Sequence, residues 1–258
     1  MRKLSIGIIA LLLILQVGKI NAKENINKND TGYCKADGII TDEQLIKTLS
    51  EAIEEDGYAI NGDTFFYYDT ATLSNKEQIT VICMRNTEGD TVKDTMIVPF
   101  ESKENDEIRI IDVSEFLLKI CNTAKPAGAK NSGSYTIGKA YVTGYYNKTT
   151  HSSMYYYQPY QLSYKVTSTV SVVSGIYRIC GSPYSLDYTP LDQMDYPNYS
   201  ISKTTGSPTV GTTYSKYAVC PRRYNFLGAY STYHEIGVRF SSSGEYTTRD
   251  LDMTTIVM

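Results

Sequence analysis

Apolar and polar positions alternate with period two through residues 160–172: Tyr160, Leu162, Tyr164, Val166, Ser168, Val170 and Val172 are apolar or small, while Gln161, Ser163, Lys165, Thr167, Thr169 and Ser171 are polar. That is the pattern of a strand with one buried and one wet face. A strand of that length would run about 43 Å, longer than usual, so a bend or bulge is expected near Ser168. Strand patterns also cover 134–146, 175–180, 213–220, 231–240 and 245–257, separated by Gly, Pro, Ser and Asn clusters. In the last two, His234, Ile236, Val238 and Phe240 share one face, and Leu251, Met253, Thr255 and Val257 share another after a turn at 241–244. The Pro-, Tyr- and Asp-rich stretch 185–208 reads as a long ordered loop.

The preceding part of the chain has a different rhythm. Thr41 and Gln44 form a capping box ahead of Leu45, Leu49 and Ile53, which predicts a helix over about 42–55. Four β-branched or aromatic runs follow at 63–70, 77–85, 94–101 and 107–113, and helical spacing resumes over 113–124 through Phe116, Leu117 and Ile120. The expected fold is therefore a small α+β N-terminal domain followed by an all-β, antiparallel sandwich or barrel-like C-terminal domain.

Charge and tyrosine place the boundary. Residues 23–125 hold 21 acidic against 11 basic residues, whereas 126–258 hold 7 against 11. Of 24 tyrosines only Tyr33, Tyr58, Tyr67 and Tyr68 precede residue 125, and tryptophan is absent. The expected organisation is a signal peptide at 1–22, an acidic α+β domain at 23–125, a linker at 126–134 and a Tyr-rich antiparallel β domain at 135–258. The signal peptide is read from Arg2 and Lys3, a short apolar core at 8–15, and small or polar residues up to Ala22. Its apolar run is too short for a convincing membrane span, so a secreted chain without a stable membrane anchor is expected.

Export makes disulfides admissible. Cys180 and Cys220 are expected to pair, Cys34 and Cys121 form a weaker candidate pair, and Cys83, in the apolar run ITVICMR, is expected to be a buried thiol. No cysteine spacing matches a zinc site, and neither a metal nor a cofactor is expected.

Reactive groups are sparse. His234 falls on the apolar face of its strand, His151 lies in a polar loop, and no G-x-S-x-G elbow occurs. Cys220 precedes Arg222 and Arg223, which could lower its thiol pKa. Those arginines beside Tyr224 do not suffice for nucleic-acid binding, given the modest charge of the second half. The sequons at Asn29, Asn147 and Asn198 matter only in a glycosylating cell.

Tyrosine is the anomaly. Its ring and hydroxyl suit recognition of proteins and sugars at low entropy cost, and Tyr155, Tyr156, Tyr157 and Tyr160 are the candidate ligand-binding residues. Successive strand residues face opposite ways, so Tyr155, Tyr156 and Tyr157 cannot all enter one core. The expected function is non-enzymatic binding of an extracellular protein or glycan. Two alternatives are a membrane-active, pore-forming protein using the amphipathic stretch 160–173, and a secreted hydrolase using Asp187, Asp192 and Asp195 in the loop at 187–195.

Overall fold

The computed structural model describes residues 50, 51, 53, 57–61, 64–102, 107–123, 135–192, 198–225, 233–240 and 246–251. Residues 50, 51 and 53 are helical, and the rest of the helix expected over 42–55 lies outside the described residues. So does the linker expected at 126–134.

The described residues are mostly antiparallel β-sheet with one short helix. The strands are β1 (Ala59–Asn61), β2 (Thr64–Leu73), β3 (Gln78–Glu88), β4 (Thr91–Ser102), β5 (Ile108–Ile110), β6 (Thr136–His151) and β7 (Met154–Val166). They continue as β8 (Val172–Cys180), β9 (Ser182–Tyr184), β10 (Asn198–Gly206), β11 (Tyr214–Tyr217), β12 (Arg223–Asn225), β13 (Tyr233–Phe240) and β14 (Tyr246–Leu251). They join in one sheet in the order β10-β8-β13-β14-β2-β3-β4-β6-β7-β12-β9, with β1 beside β2, β5 beside β4 and β11 beside β7. β4 pairs with β6 from Thr91↔Asn147 to Ser102↔Thr136, so hydrogen bonding is continuous between the acidic segment and the Tyr-rich one.

The path curls so that β8, β10 and β13 lie across β6 and β7. Contacts between the two layers define the inner face: the Tyr177 ring covers Gly144, the Tyr164 ring covers Gly175, and Phe100 meets Phe240 with ring centroids 5.0 Å apart. Tyr199 closes one side by donating its hydroxyl to the Ala218 carbonyl at 2.7 Å. Period-two alternation fills this interior: Leu162, Tyr164 and Val166 of β7 and Ile236, Val238 and Phe240 of β13 are all buried there. β3 is apolar on both faces because its outer side is also covered. There Ile82 packs with Ile97, Ile111, Val113 and Phe116, the last two from helix α1 (Val113–Thr123).

Helix α1 is held at both ends. Asp112 caps it, accepting from the Ser114 backbone N–H at 2.7 Å, and also accepts from the Thr80 N–H of β3 at 2.7 Å. Farther along, buried Glu101 of β4 accepts from Arg109 at 2.8 Å and from Lys119 of the helix. Burial would raise the Glu101 pKa, but the hydrogen bonds from Lys119 and Arg109 outweigh it and hold the carboxyl below its ordinary range. Asp112 and Glu115 are lowered as well. Groups with depressed folded pKa values bind fewer protons folded than unfolded, so their stabilisation is complete above the unfolded carboxylate range and fades as pH falls through the folded values. Urea midpoints measured from about pH 6 to pH 3 should therefore drop on acidification, and Glu101→Gln should flatten part of that drop.

Tight turns follow local chemistry. The β3–β4 connection places Gly89 at φ 59, the first central position of a type II′ hairpin turn, where glycine is preferred. The β6–β7 turn puts Ser152 and Ser153 at φ 49 and φ 63, a type I′ geometry without the usual glycine.

Two expectations are corrected. The 160–172 run is not one strand: β7 ends at Val166, residues 167–171 cross between layers, and β8 resumes at Val172 with its inward parity on Val173, Gly175, Tyr177 and Ile179. Ser168 is buried at that crossing beside Gly138, and Thr167 caps it by donating its N–H to the Lys139 carbonyl at 3.0 Å. The stretch 185–208 is not all loop, since β10 pairs with β8 from Asn198↔Cys180 to Gly206↔Val172. Among the described residues no disulfide is found: Cys180 and Cys220, expected to pair, are both buried, as is Cys83. Cys34 and the side chain of Cys121 lie outside the described residues.

Candidate functional site

β7 carries the tyrosines singled out from the sequence, and strand geometry sends them to different places. Tyr155 and Tyr157 belong to the inner face. Tyr155 is 38% exposed at its end, with the Lys148 ammonium 4.1 Å above its ring, and Tyr157 is buried with its ring 5.6 Å from that of Tyr146. Tyr156 points the other way and is buried under Tyr184 and Tyr188, at 5.1 and 4.8 Å. Tyr160 is the extra residue of a bulge, since Tyr145 pairs with Gln161 while Tyr146 pairs with Pro159. Proline has no N–H for the ladder, which makes this the natural place for the interruption.

The bulge turns Tyr160 outward, between Tyr145 of β6 at 6.0 Å and Tyr217 of β11 at 5.9 Å. A row of three tyrosines thus crosses three strands on the outer face, ending in Tyr217, which is 69% exposed. The row does not lie flat, its interplanar angles being 52° and 58°. Tyr145 shares a hydrogen bond with Ser163 at 3.0 Å, and Tyr160 bonds to Thr91. Burial pushes the Tyr160 phenol pKa upward, and the hydrogen bond from Thr91 opposes it.

On the inner face the same region is polar at its base. Arg85 of β3 donates Nε and Nη2 to Asp94 of β4 at 2.6 and 2.7 Å, and the Tyr146 hydroxyl donates to Asp94 at 3.1 Å. Burial alone would lower the Arg85 pKa, but the Asp94 charge and hydrogen bond more than reverse it. His234 is fully buried among the rings of Tyr146, Tyr177 and Tyr157, at 4.8, 5.5 and 6.2 Å. The Tyr177 hydroxyl is buried with no hydrogen-bond partner, and burial raises the pKa of both Tyr177 and Tyr146 well above the ordinary phenol value.

The other chemical candidates are placed without forming a reaction centre. His151 stacks on Tyr188 at 4.0 Å with an interplanar angle of 7°, and the Arg223 guanidinium lies 4.6 Å from the same ring. Tyr188, held at φ 65, locks the 185–190 turn against the β6–β7 hairpin. Asp187 and Asp192 are exposed, and Asp195 lies outside the described residues. Asp187 accepts from the Thr189 N–H at 3.2 Å, and its bonds to Thr189 hold its carboxyl below the ordinary range. A general acid for glycoside hydrolysis needs the opposite shift. Burial pushes the Cys220 thiol up to about 11, overriding the lowering effect of Arg222, so it is less acidic than its flanking arginines suggested. Among the described residues no cluster of His, Cys, Asp and Glu suits a metal ion, and no helix is long and apolar enough to cross a membrane.

Comparison of the chain with protein-family models, curated protein sequences and solved structures finds no match.

Proposed function

We propose that this is a secreted, non-enzymatic binding protein that recognises an extracellular protein through the outward tyrosine row Tyr145, Tyr160 and Tyr217. In this proposal 1–22 is the signal peptide, the α+β segment 23–125 is the acidic part, and the Tyr-rich β segment 135–258 carries the contact surface.

The observation that carries it is the exposure of Tyr217 at the end of a row whose inner members are already fixed by neighbours. Rings held this way lose little entropy on binding, which is why tyrosine anchors interfaces. A protein suits the row better than a flat glycan. Sugar stacking favours an open ring face with hydroxyls nearby, whereas these rings tilt against one another and the hydroxyls of Tyr145 and Tyr160 are bonded to Ser163 and Thr91.

The test is selection of a displayed random-peptide library on the native chain, followed by titration against Tyr160→Ser and Tyr217→Ser. Selected peptides should bind the double variant at least ~30-fold more weakly, the loss of about 2 kcal/mol expected for an interface hot spot. Tyr217→Ser should leave the melting temperature nearly unchanged, since surface changes of this kind cost within about 0.5 kcal/mol. Peptides that ignore both substitutions, alongside an oligosaccharide array whose signals depend on Tyr217, would move the partner from protein to glycan.

A further inference from the structure

We infer that the end of the inner face around Lys148 and Tyr155 is a second binding site, one for an oxyanion (carboxylate, sulfate or phosphate) carried by a small ligand. It lies on the opposite face of β7 from the tyrosine row and does not depend on it.

The two layers have unequal lengths here. β8 stops at Cys180 and β13 starts at Tyr233, and the inward rings of that layer, Tyr177 and His234, lie against Gly144, Tyr146 and Tyr157. β6 runs on to His151 and β3 to Glu88. Beyond the described strands of that layer the inner face carries Lys148 and Tyr155, while Arg85 sits farther in, in register with Gly144 under the Tyr177 ring.

The buried carboxylate farther in, Asp94, already accepts from two guanidinium nitrogens of Arg85 and from Tyr146. Lys148 has no carboxylate within ion-pair distance among the described residues; its ammonium rests on the face of Tyr155 at 4.1 Å. A cation over a tyrosine ring is weakly attracted to its face, which positions the ammonium without neutralising it. Consistent with this, burial and then the nearby Arg85 charge lower the Lys148 pKa.

An arriving oxyanion would give Lys148 its missing counter-charge through charge-assisted hydrogen bonds, the strong class of such bonds. A cation would be repelled by Lys148 and Arg85. A nucleic-acid strand would need a track of basic residues, where this site offers one uncompensated lysine.

The experiment is a titration of the full native chain at constant ionic strength with sodium sulfate, inorganic phosphate, glucuronate and uncharged glucose, following the Lys148 side-chain and Tyr155 ring signals by NMR. Saturable shifts of both residues are expected with the three anions and not with glucose. The Lys148 titration midpoint should rise when the site is filled. Lys148→Met should weaken binding about tenfold or more, the loss of one charged contact, and Lys148→Arg should retain it. Tyr217→Ser should leave the anion affinity as it is while weakening peptide binding, which separates this site from the tyrosine row. If glucuronate saturates at lower concentration than sulfate or phosphate, the oxyanion belongs to an acidic sugar; the reverse order assigns it to a free inorganic anion. Shifts that rise linearly without saturating, or anion affinity equal in wild type and Lys148→Met, would overturn the proposal. Should Lys148→Met fail to fold, the rise of the wild-type Lys148 midpoint decides alone.

Discussion

Substituting Gly144 by alanine should destabilise the chain by about 1–3 kcal/mol, and by valine more, because the space a side chain needs is already filled by Tyr177. A Cβ on Gly144 would lie 2.7–2.9 Å from three ring carbons of Tyr177, a distance such contacts essentially never reach. The ring cannot swing aside, since Tyr177 is fully buried between layers with Tyr146 and His234 beside it. Gly175, whose Cβ would come 2.6 Å from the Tyr164 ring, is the equivalent position on the opposite layer. Gly206 is the control: it also lies in a strand, and an added Cβ there meets nothing within 4 Å, so Gly206→Ala should be neutral or slightly stabilising. At about 2–4 °C per kcal/mol for a chain of this size, calorimetry resolves the difference easily. Adding Tyr177→Leu to Gly144→Ala should recover part of the loss, and a non-additive double-mutant cycle would identify the ring as the cause. A Gly144→Ala protein that melts with the wild type would mean the layers do not meet as described.

These glycines also mark how far the sequence could be read. Alternation correctly oriented Leu162, Tyr164 and Val166, and later Ile236, Val238 and Phe240, because one face of each strand is buried and period two is then compulsory. It failed at 167–171, where Ser, Thr and Val alternate just as well while the chain leaves one layer for the other. Residues as small and β-prone as these satisfy a strand and a crossing alike. β10 was missed for a related reason: an edge strand of Ser, Thr, Lys and Asn, with Ile201 as its fully buried residue, carries almost no apolar signal. Among the candidate tyrosines, parity alone separated Tyr156 from Tyr155 and Tyr157. The outward row, by contrast, depends on β11 pairing with β7 and on a bulge at Tyr160, both set by tertiary pairing. Arg85 and Asp94 were more accessible. They stand symmetrically about the Gly89–Asp90 turn, so a hairpin centred there must place them opposite one another.

That cross-strand pair carries the second large effect: removing the Asp94 carboxylate should cost about 3–5 kcal/mol, more than the pair itself contributes. Asp94 is wholly buried, and Arg85 is 12% exposed at its side chain. With Asp94→Ala, the guanidinium keeps its charge, because arginine does not deprotonate in proteins, and two of its donors lose their acceptor. The Tyr146 hydroxyl, which also donates to Asp94, is stranded in the same step. Asp94→Asn should be milder, since an amide oxygen still accepts while the charge is lost. Arg85→Met with Asp94→Leu should fall well short of the single-variant cost, because no ion is then left in the core and replacing a buried pair by apolar groups is often neutral or better. Urea unfolding of the four proteins distinguishes a stabilising ion pair from a desolvated charge kept quiet by its partner. A double variant as unstable as Asp94→Ala alone would show that the carboxylate serves Tyr146 and the rings around it more than it serves Arg85.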